Sequence, residues 1–503
     1  MNARMAYHEL IRRSRELTLL ASCAELLAWD EDTYMPPGGV ENRSRQLAYL
    51  AGLQHERAVD PRVGDLLDEL EDAELIRDPL APEAVNVREL SRSFKRNLRL
   101  PRELVEETAA ITSLAQHEWA VARQNADFAH FLPWLERIVA LKRREAEALG
   151  DTSNLYDALL DDYEPGARGE DLVRLFDELR RELVPLATAL THADRRPNVA
   201  ILLRDYPVER QQLIGETVAA ALGFDFRCGR IDATTHPFFS SIGPGDTRLT
   251  TRYHPTSFAD AFFSTLHEVG HGLYDQGLDP VHAGTPMGDA ASLAVHESQS
   301  RLWENNVGRS RAFWRHFFPR VRQVFRKALA DVKPDEFHFA VNAVEATLIR
   351  VQADEVTYNL HILIRFELER ALIAGDLKPA DLPDAWNSAY RHHLGITPPN
   401  DADGCLQDGH WAAGQFGYFP TYTLGNVYAA QLYAAAESAC GSFDEAFARG
   451  DFSGLLGWLR VQVHQQGMRY PAAQLIERTT GSPPDARPLV EGLRRKYGEL
   501  YEI

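Results

Sequence analysis

Apolar residues recur at three- and four-residue intervals along most of the chain, which is the spacing of one face of an α-helix. Ala, Leu, Glu and Arg, all good helix formers, fill many of the positions between them. The pattern is clearest over residues 128–149, 171–190, 209–222 and 341–373. It therefore predicts a mainly α-helical fold.

Strand-like alternation is scarce by comparison. The best candidate is the segment 247–253, which is rich in β-branched residues and follows a turn signal at residues 243–246. No linker, low-complexity tract or internal repeat interrupts the helical pattern. We therefore expect residues 1–503 to form a single large helical catalytic domain with a small β-sheet near the middle of the chain.

Composition and charge narrow the possible partners. The 503 residues are 45% hydrophobic and 25% charged, and the net charge is −19. Such a charge argues against a broad nucleic-acid surface and against docking on an anionic membrane, because both need clustered cations. We find no secretory signal pattern and no apolar run of transmembrane length. The cysteines are far apart and form no CxxC pair, so we expect reduced thiols in a cytoplasmic protein.

The segment 257–277 is predicted to be an amphipathic helix. Its apolar stripe consists of residues at helical spacing: Phe258, Phe262, Leu266, Val269 and Leu273. We expect Ser257 and Asp260 to form the N-terminal cap of this helix and Gly277 to end it.

The same helix contains an HExxH motif, formed by His267, Glu268 and His271. Histidines at positions i and i+4 of a helix point both imidazoles at one metal ion. Glu268 lies beside them, where its carboxylate can activate an attacking water without ligating the metal. The extended metzincin pattern is excluded, because Tyr274 and Gly277 stand where it requires Gly and His. The motif therefore predicts a zinc-dependent peptidase of another class.

Zinc in such a site needs a third protein ligand and one open position. We expect the ligand from a helix over residues 289–307 and favour Glu297, which gives the two-His, one-Glu site of gluzincins. His296 and Glu304 are the alternatives, and an ion pair with Arg301 is the ordinary explanation for Glu297. Because the predicted strand 247–253 ends just before the HExxH helix, we also expect an extended edge beside the metal, where a peptide backbone can pair.

Several separated motifs resemble those of one family, the M32 metallocarboxypeptidases of the carboxypeptidase Taq type. In chain order they are WDEDTYMP from Trp29, HPF from His236, DTRLT from Asp246, the HExxH motif, HESQ from His296, IRVQAD from Ile349 and GCLQDGHW from Gly404. Each motif alone is weak, but all of them in this order are specific. The resemblance covers most of the chain.

The resemblance implies a largely helical fold with a deep central cleft, usually a homodimer, and a zinc (or cobalt) enzyme that removes single residues from peptide C-termini with broad specificity. It implies that Arg350 binds the terminal carboxylate, which suits a bidentate guanidinium, with Arg248 and His410 at the closed end of the cleft. The ordinary explanations are an ion pair of Arg350 with Asp354 and a solvated strand position for Arg248. The same motifs supply three further substrate-binding candidates: His236, Gln407 and Asp408.

An oxyanion stabiliser is also needed for peptide hydrolysis. The Gly-rich, aromatic segment 414–422 is the best source, and within it we favour Tyr422 over Tyr418, with packing as the ordinary explanation for either. His410 is a further candidate. The nearest alternative function is a zinc oligopeptidase or dipeptidyl carboxypeptidase, and the alternative from another class is a catalytically silent peptide-binding scaffold.

Overall fold

The structure is a computed structural model that describes residues 2–150, 154–235 and 237–503. The chain forms two compact units, each assembled from three separated segments. Unit 1 comprises Met1–Leu98, Asn198–Val341 and Ala429–Pro483, and unit 2 comprises Arg99–Pro197, Asn342–Tyr428 and Pro484–Ile503. The expectation of a single domain over 1–503 stays a prediction.

The described residues are mainly α-helical, which confirms the predicted fold class. The helices are α1 (Ala3–Thr33), α2 (Val40–Ala58), α3 (Pro61–Leu70), α4 (Pro82–Arg99), α5 (Arg102–Asn125), α6 (Phe128–Leu149), α7 (Leu155–Leu160), α8 (Gly169–Thr191), α9 (Val208–Leu222), α10 (Ala259–Asp275), α11 (Leu293–Arg301), α12 (Arg311–Val324), α13 (Arg326–Leu329), α14 (Pro334–Ala340), α15 (Thr357–Ala374), α16 (Leu382–Leu394), α17 (Pro420–Cys440), α18 (Asp444–Ala448), α19 (Ser453–Gln462), α20 (Ala472–Thr480) and α21 (Arg487–Tyr501). None of the described helices is long and apolar enough to cross a membrane.

Three of the four helices predicted from periodicity are confirmed, as α6, α8 and α9. The fourth, over residues 341–373, is wrong in its first half, because α15 begins only at Thr357. Asp354 explains the late start: its carboxylate accepts hydrogen bonds from the backbone N–H groups of Val356 and Thr357 and from the Thr357 hydroxyl. This local capping competes with a continuous helix. Arg350 therefore lies on a 3-10 turn, Arg350–Gln352.

A three-stranded sheet belongs to unit 1 and consists of β1 (Gly229–Ala233), β2 (Phe239–Gly243) and β3 (Asp246–Thr251). The strand order is β1-β3-β2, with β1 parallel and β2 antiparallel to β3. The predicted strand 247–253 is confirmed as β3, but the expectation that it offers a free edge is wrong. Both sides of β3 are paired, because the short segments around it also form strands.

The predicted apolar stripe of α10 is confirmed, since its five residues are each at most 5% exposed. The rings of Phe258 and Phe262 stack with centroids 5.0 Å apart, and the ring of Trp314 lies 5.2 Å from that of Phe262. This aromatic packing buries α10 and fixes its rotation, so that the opposite face presents the HExxH side chains.

The predicted N-cap of α10 is wrong. Phe258 occupies the N-cap position without a side-chain hydrogen bond, and Ser257 instead forms an isolated bridge with His254. The predicted C-terminal stop agrees with the structure, because the helix ends at Asp275, Gln276 is its C-cap and Gly277 follows directly. Gly277 is also required for packing: a Cβ atom there would collide with the ring of His464.

Helix α11 follows α10 after a loop and packs against it. The Ser292 hydroxyl caps α11 by accepting a hydrogen bond from the backbone N–H of Val295. Gly270 allows the close approach of the two helices, since a Cβ at this position would lie 2.5 Å from Ser300 Cα. Beyond α11 the chain continues as a π-helical turn, Leu302–Val307. Residues 289–307 are therefore helical in part, as predicted, but their second half has the wider π geometry.

Candidate functional site

The side chains of His267, His271 and Glu297 converge in unit 1. The Oε2 atom of Glu297 lies 3.5 Å from Nε2 of His267 and 3.5 Å from Nε2 of His271. One ligand atom from each of the three residues lies within 4.8 Å of the others. The two histidines come from α10, and Glu297 comes from α11 at the level of the Gly270 contact. The arrangement has the geometry of a three-ligand metal site.

Glu297 uses its two carboxylate oxygens for different partners. Its Oε1 atom accepts a hydrogen bond of 2.7 Å from Nε of Arg301, whereas Oε2 faces the histidines and accepts from the Ser300 hydroxyl at 3.1 Å. Burial alone would raise the pKa of Glu297, but Arg301 and His267 hold it far below its usual range. Glu297 therefore pairs with Arg301 and approaches the two histidines at the same time, and the ion pair keeps its carboxylate ionised.

The other ring nitrogens of both histidines also have partners. Nδ1 of His267 lies 3.0 Å from Oε2 of Glu304, and Nδ1 of His271 lies 2.5 Å from Nδ1 of His296. Burial holds the pKa of His296 well below its usual range, so this imidazole is neutral. Each histidine in the cluster is therefore held at Nδ1 and turns Nε2 towards Glu297.

Glu268 differs from the other buried acidic groups near the cluster. It is 7% exposed, and its carboxylate forms no hydrogen bond or ion pair with any residue the structure describes. Burial raises the pKa of Glu268, against the opposing effect of His267 and His271. A buried, unengaged carboxylate of raised pKa next to converging ligands has the properties of a general base.

Arg248 lies on β3 in unit 1 and is held on two sides. Its Nε and Nη2 atoms both donate to the Asp246 carboxylate at 2.8 Å, and its guanidinium lies 4.2 Å from the centroid of the Trp29 ring. The ordinary explanation as a solvated strand residue is wrong, because its side chain is only 15% exposed. This contact also links the WDEDTYMP and DTRLT segments in space.

Arg350 lies in unit 2 and is almost fully buried. Its Nε and Nη2 atoms donate to Oδ1 of Asp408 at 3.0 and 2.9 Å, and its Nη1 donates to the Tyr358 hydroxyl at 3.0 Å. The expected alternative, an ion pair with Asp354, is wrong, since Asp354 caps α15. The pairing with Asp408 orients the guanidinium rigidly.

Asp408 bridges two arginines. Its Oδ2 accepts from Nε of Arg365 at 2.7 Å, and burial alone would raise its pKa, yet Arg350 and Arg365 hold it far below its usual range. Gln407 supports the same network, because its Oε1 accepts from Nη2 of Arg365 at 2.7 Å and from the backbone N–H of Arg350 at 2.9 Å. Arg365 was missed by sequence reasoning, since it lies outside the recognised motifs.

His410 and Tyr422 lie together in unit 2. Nε2 of His410 is 3.2 Å from the Tyr422 hydroxyl, and burial lowers the pKa of His410 to about 3, with Arg350 adding to the effect. Gly417 shapes the loop between them: its φ is +90°, and a Cβ would lie 2.8 Å from the backbone nitrogen of Leu160. Of the remaining candidates, His236 lies outside the described residues.

A cavity of about 650 Å³ opens beside the histidine cluster in unit 1. His296 and Phe239 belong to its lining, and the Phe239 ring contacts both His271 and His296, with centroids 5.8 and 5.0 Å apart. Asp275 and Asp289 also line it, and burial raises the pKa of Asp289 to about 6. Among the described residues, its lining includes none of His267, Glu268, His271 and Glu297, so the cavity borders the cluster on its His296 side.

The sequence and the fold of this chain are similar to those of known proteins. The sequence model of the family described as "Carboxypeptidase Taq (M32) metallopeptidase" matches residues 9–497. The chain is 50% identical to "Thermostable carboxypeptidase 1" of Thermus thermophilus over 100% of each chain. It is 36% identical to "Carboxypeptidase 1" of Bacillus subtilis over 98% of each chain. It superposes on the crystal structure of an M32 carboxypeptidase from Deinococcus radiodurans with a TM-score of 0.96 and 44% identity, over 99% of this chain and 100% of that one.

Proposed function

We propose a function from the family to which the chain belongs, the M32 metallocarboxypeptidases of the carboxypeptidase Taq type. In this proposal the protein releases single C-terminal amino acids from peptides with broad specificity. Zinc is the proposed metal, held by His267, His271 and Glu297. One observation carries the proposal: three ligand atoms converge while the neighbouring carboxylate of Glu268 stays unengaged. That combination suits metal-assisted hydrolysis better than a purely structural ion cluster.

The donor set fits zinc. Two imidazole nitrogens and one carboxylate oxygen are among its preferred ligands, and three protein ligands leave one position open, as catalytic zinc sites do. In a tetrahedral site with bonds of about 2.05 Å, ligand atoms lie about 3.4 Å apart. The two 3.5 Å separations between Glu297 and the histidines agree with this spacing. Cobalt takes the same donors, which supports it as a substitute.

The chemistry follows from the residues around the metal position. A zinc ion bound there supplies Lewis acidity, which polarises a carbonyl oxygen and lowers the pKa of water. Glu268 takes the proton from the attacking water and later delivers it to the leaving amine. Burial raises the pKa of Glu268, which supports both steps because it favours the protonated form that delivers the proton to the leaving amine.

Arg350 is the proposed binding group for the C-terminal carboxylate of the peptide. Within the described chain, three of its five N–H groups donate to Asp408 and Tyr358, which leaves two for a bidentate contact with a carboxylate. Asp408 and Gln407 hold this guanidinium in place, and we propose Arg248 as a second carboxylate-binding cation. His236 is retained as a substrate-binding candidate on the resemblance alone.

Tyr422 and His410 are proposed to stabilise the oxyanion. The hydrogen bond between them supports a paired role, because the neutral imidazole of His410 can orient the phenol of Tyr422. A preoriented donor stabilises developing negative charge at low reorganisation cost.

Product analysis tests the proposal. The metal-loaded protein is incubated with one peptide carrying a free C-terminus and with the same peptide amidated at its C-terminus, and the products are followed by mass spectrometry. We expect stepwise loss of single residues from the free peptide only. Equal cleavage of the amidated peptide would indicate an oligopeptidase, release of dipeptides would indicate a dipeptidyl carboxypeptidase, and no cleavage would indicate a silent scaffold.

Glu268→Gln separates metal binding from turnover. The variant keeps the three ligands, so zinc content should stay at one ion per chain, whereas kcat should fall by several orders of magnitude because no group takes the proton. Retained activity would remove Glu268 from the mechanism. Zinc content that falls with activity would show that the residue acts on the metal instead.

A homodimer in the cytoplasm completes the proposal. Helix α2 buries none of its residues within the chain, and Val40 and Tyr49 on it are 53% and 69% exposed. An exposed helix that carries a large apolar side chain such as Tyr49 supports contact with a second copy. In light scattering, the wild type and the control Val461→Glu should be dimers, whereas Tyr49→Glu should be a monomer. A monomeric wild type would contradict the proposed dimer. The free cysteines support a reducing compartment.

A further inference from the structure

Glu304 contacts the metal cluster from the side opposite to the metal position. Its Oε2 lies 3.0 Å from Nδ1 of His267, while Nε2 of the same ring faces Glu297. The two nitrogens of an imidazole point away from each other, so a group bonded to Nδ1 cannot reach an ion bonded to Nε2. Glu304 is therefore no substitute for Glu297 as a ligand, and its position needs another explanation.

Two arginines hold Glu304 in place. Arg301 Nη1 lies 3.3 Å from its Oε2, and Arg309 Nη2 lies 3.5 Å from its Oε1. Arg301 also donates from Nε to Oε1 of Glu297 at 2.7 Å. A single guanidinium thus joins Glu297 to the carboxylate that contacts His267, so that the two acidic groups keep a fixed separation.

The backbone that carries Glu304 is unusual. Glu297 lies on the regular helix α11, whereas Glu304 lies on the π-helical turn Leu302–Val307. A π turn changes the direction of the side chains that follow an α-helix, and such turns are rare and frequently lie at functional sites. In this chain the π turn carries Glu304, which is 9% exposed and lies against the far edge of the His267 ring.

We propose that Glu304 is a positioning residue of the metal centre. It accepts the Nδ1–H of His267, which fixes the tautomer with the lone pair on Nε2 and sets the ring orientation, and Arg301 couples it to Glu297. Outer carboxylates of this kind raise ligand basicity and hold ligand geometry. The inference rests on the proposed function only in taking His267, His271 and Glu297 as metal ligands.

A positioning role and a purely structural role predict different results. If Glu304 only neutralises Arg301 and Arg309, its replacement destabilises the metal-free protein and leaves the metal affinity of the folded fraction unchanged. If it orients His267, its replacement weakens metal binding even where the metal-free protein stays folded. Glu304→Gln is the informative variant, because it keeps the shape and an acceptor oxygen while removing the charge.

The experiment measures zinc affinity without reference to peptide cleavage. Metal-free wild type, Glu304→Gln, Glu304→Ala and the control Glu164→Gln are titrated with zinc against a chromophoric chelator, and urea unfolding of each metal-free protein is recorded. Glu164 is a matched control, since it is 2% exposed and accepts a hydrogen bond from the Tyr428 hydroxyl. We expect about 10- to 100-fold weaker binding for Glu304→Ala, a smaller loss for Glu304→Gln, and no change for Glu164→Gln.

Cobalt spectra give a second readout. With Co²⁺ in place of zinc, the visible absorption should shift in Glu304→Gln and stay unchanged in Glu164→Gln, because only the former alters a ligand ring. Wild-type zinc affinity and an unshifted cobalt spectrum in Glu304→Gln would overturn the inference, even if stability falls. A wild-type protein that binds no zinc would instead overturn the proposed function. Should Glu304→Ala fail to fold, Glu304→Gln decides the matter alone.

Discussion

Replacing Gly270 by Ala tests whether the approach of α10 to α11 sets the metal geometry. A Cβ at this position would lie 2.5 Å from Ser300 Cα and 2.6 Å from the Gln299 carbonyl oxygen, whereas ordinary contact begins at 3.4 Å. Both neighbours are backbone atoms, so no side chain can rotate away. The two helices must separate by about 1 Å, because protein interiors have no spare volume.

The size of the effect follows from that separation. Glu297 lies on the same helix as Ser300, so its carboxylate moves with it, and a shift of about 1 Å far exceeds the roughly 0.2 Å tolerance of metal–ligand bonds. We expect zinc affinity to fall at least about 10-fold. Overpacking costs about 1–3 kcal/mol, while the better helix propensity of Ala returns about 1 kcal/mol. The free energy of unfolding should therefore fall by up to about 2 kcal/mol.

Gly457→Ala is the matched control, since Gly457 lies inside α19 of the same unit and a Cβ there meets nothing within 4 Å. The free energy of unfolding of this variant should rise by about 0.5–1 kcal/mol, and the variant should bind zinc like the wild type. Both variants are measured by chelator competition and by urea unfolding of the metal-free protein. Wild-type zinc affinity in Gly270→Ala would refute the reasoning, because the helix contact would then tolerate the extra methyl group.

Three further predictions concern buried ionisable groups in unit 2. Burial raises the pKa of Glu369 to about 7, so the stability that this group contributes is complete below pH of about 4.5 and is lost as the pH rises through 7. In Glu369→Gln the decrease in the free energy of unfolding between pH 5 and pH 8, measured by urea unfolding, should be smaller by up to about 3 kcal/mol. Asp408→Asn leaves Arg350 and Arg365 without their buried counter-charge, so the free energy of unfolding, measured with urea, should fall by about 3–5 kcal/mol. A smaller decrease would mean that water reaches the two arginines. His410→Gln should lower kcat without moving the acid midpoint of the pH profile, because His410, with a pKa of about 3, stays neutral across that range; a displaced midpoint contradicts this.

The sequence was most informative where a single helix decides the outcome. The burial of α10, the shared face of His267 and His271 and the position of Glu268 follow from the period of one amphipathic helix, and all three agree with the structure. The need for a third ligand from the following helix extended this prediction to Glu297. Periodicity failed at residues 341–356, because Asp354 redirects the backbone by local hydrogen bonds that an apolar pattern does not register.

Contacts between distant segments explain what the sequence left open. The partner of Arg350 is 58 residues away in the chain, whereas the helical pattern offered the nearby Asp354 as the ordinary alternative. Gly270 shows that such contacts still leave a local trace. Glycine inside a helix costs about 1 kcal/mol relative to Ala, so its presence within the HExxH motif indicates a position where a side chain cannot fit. That position faces the backbone of α11 beside Glu297, which means that the local departure from helix propensity marks where the third ligand approaches.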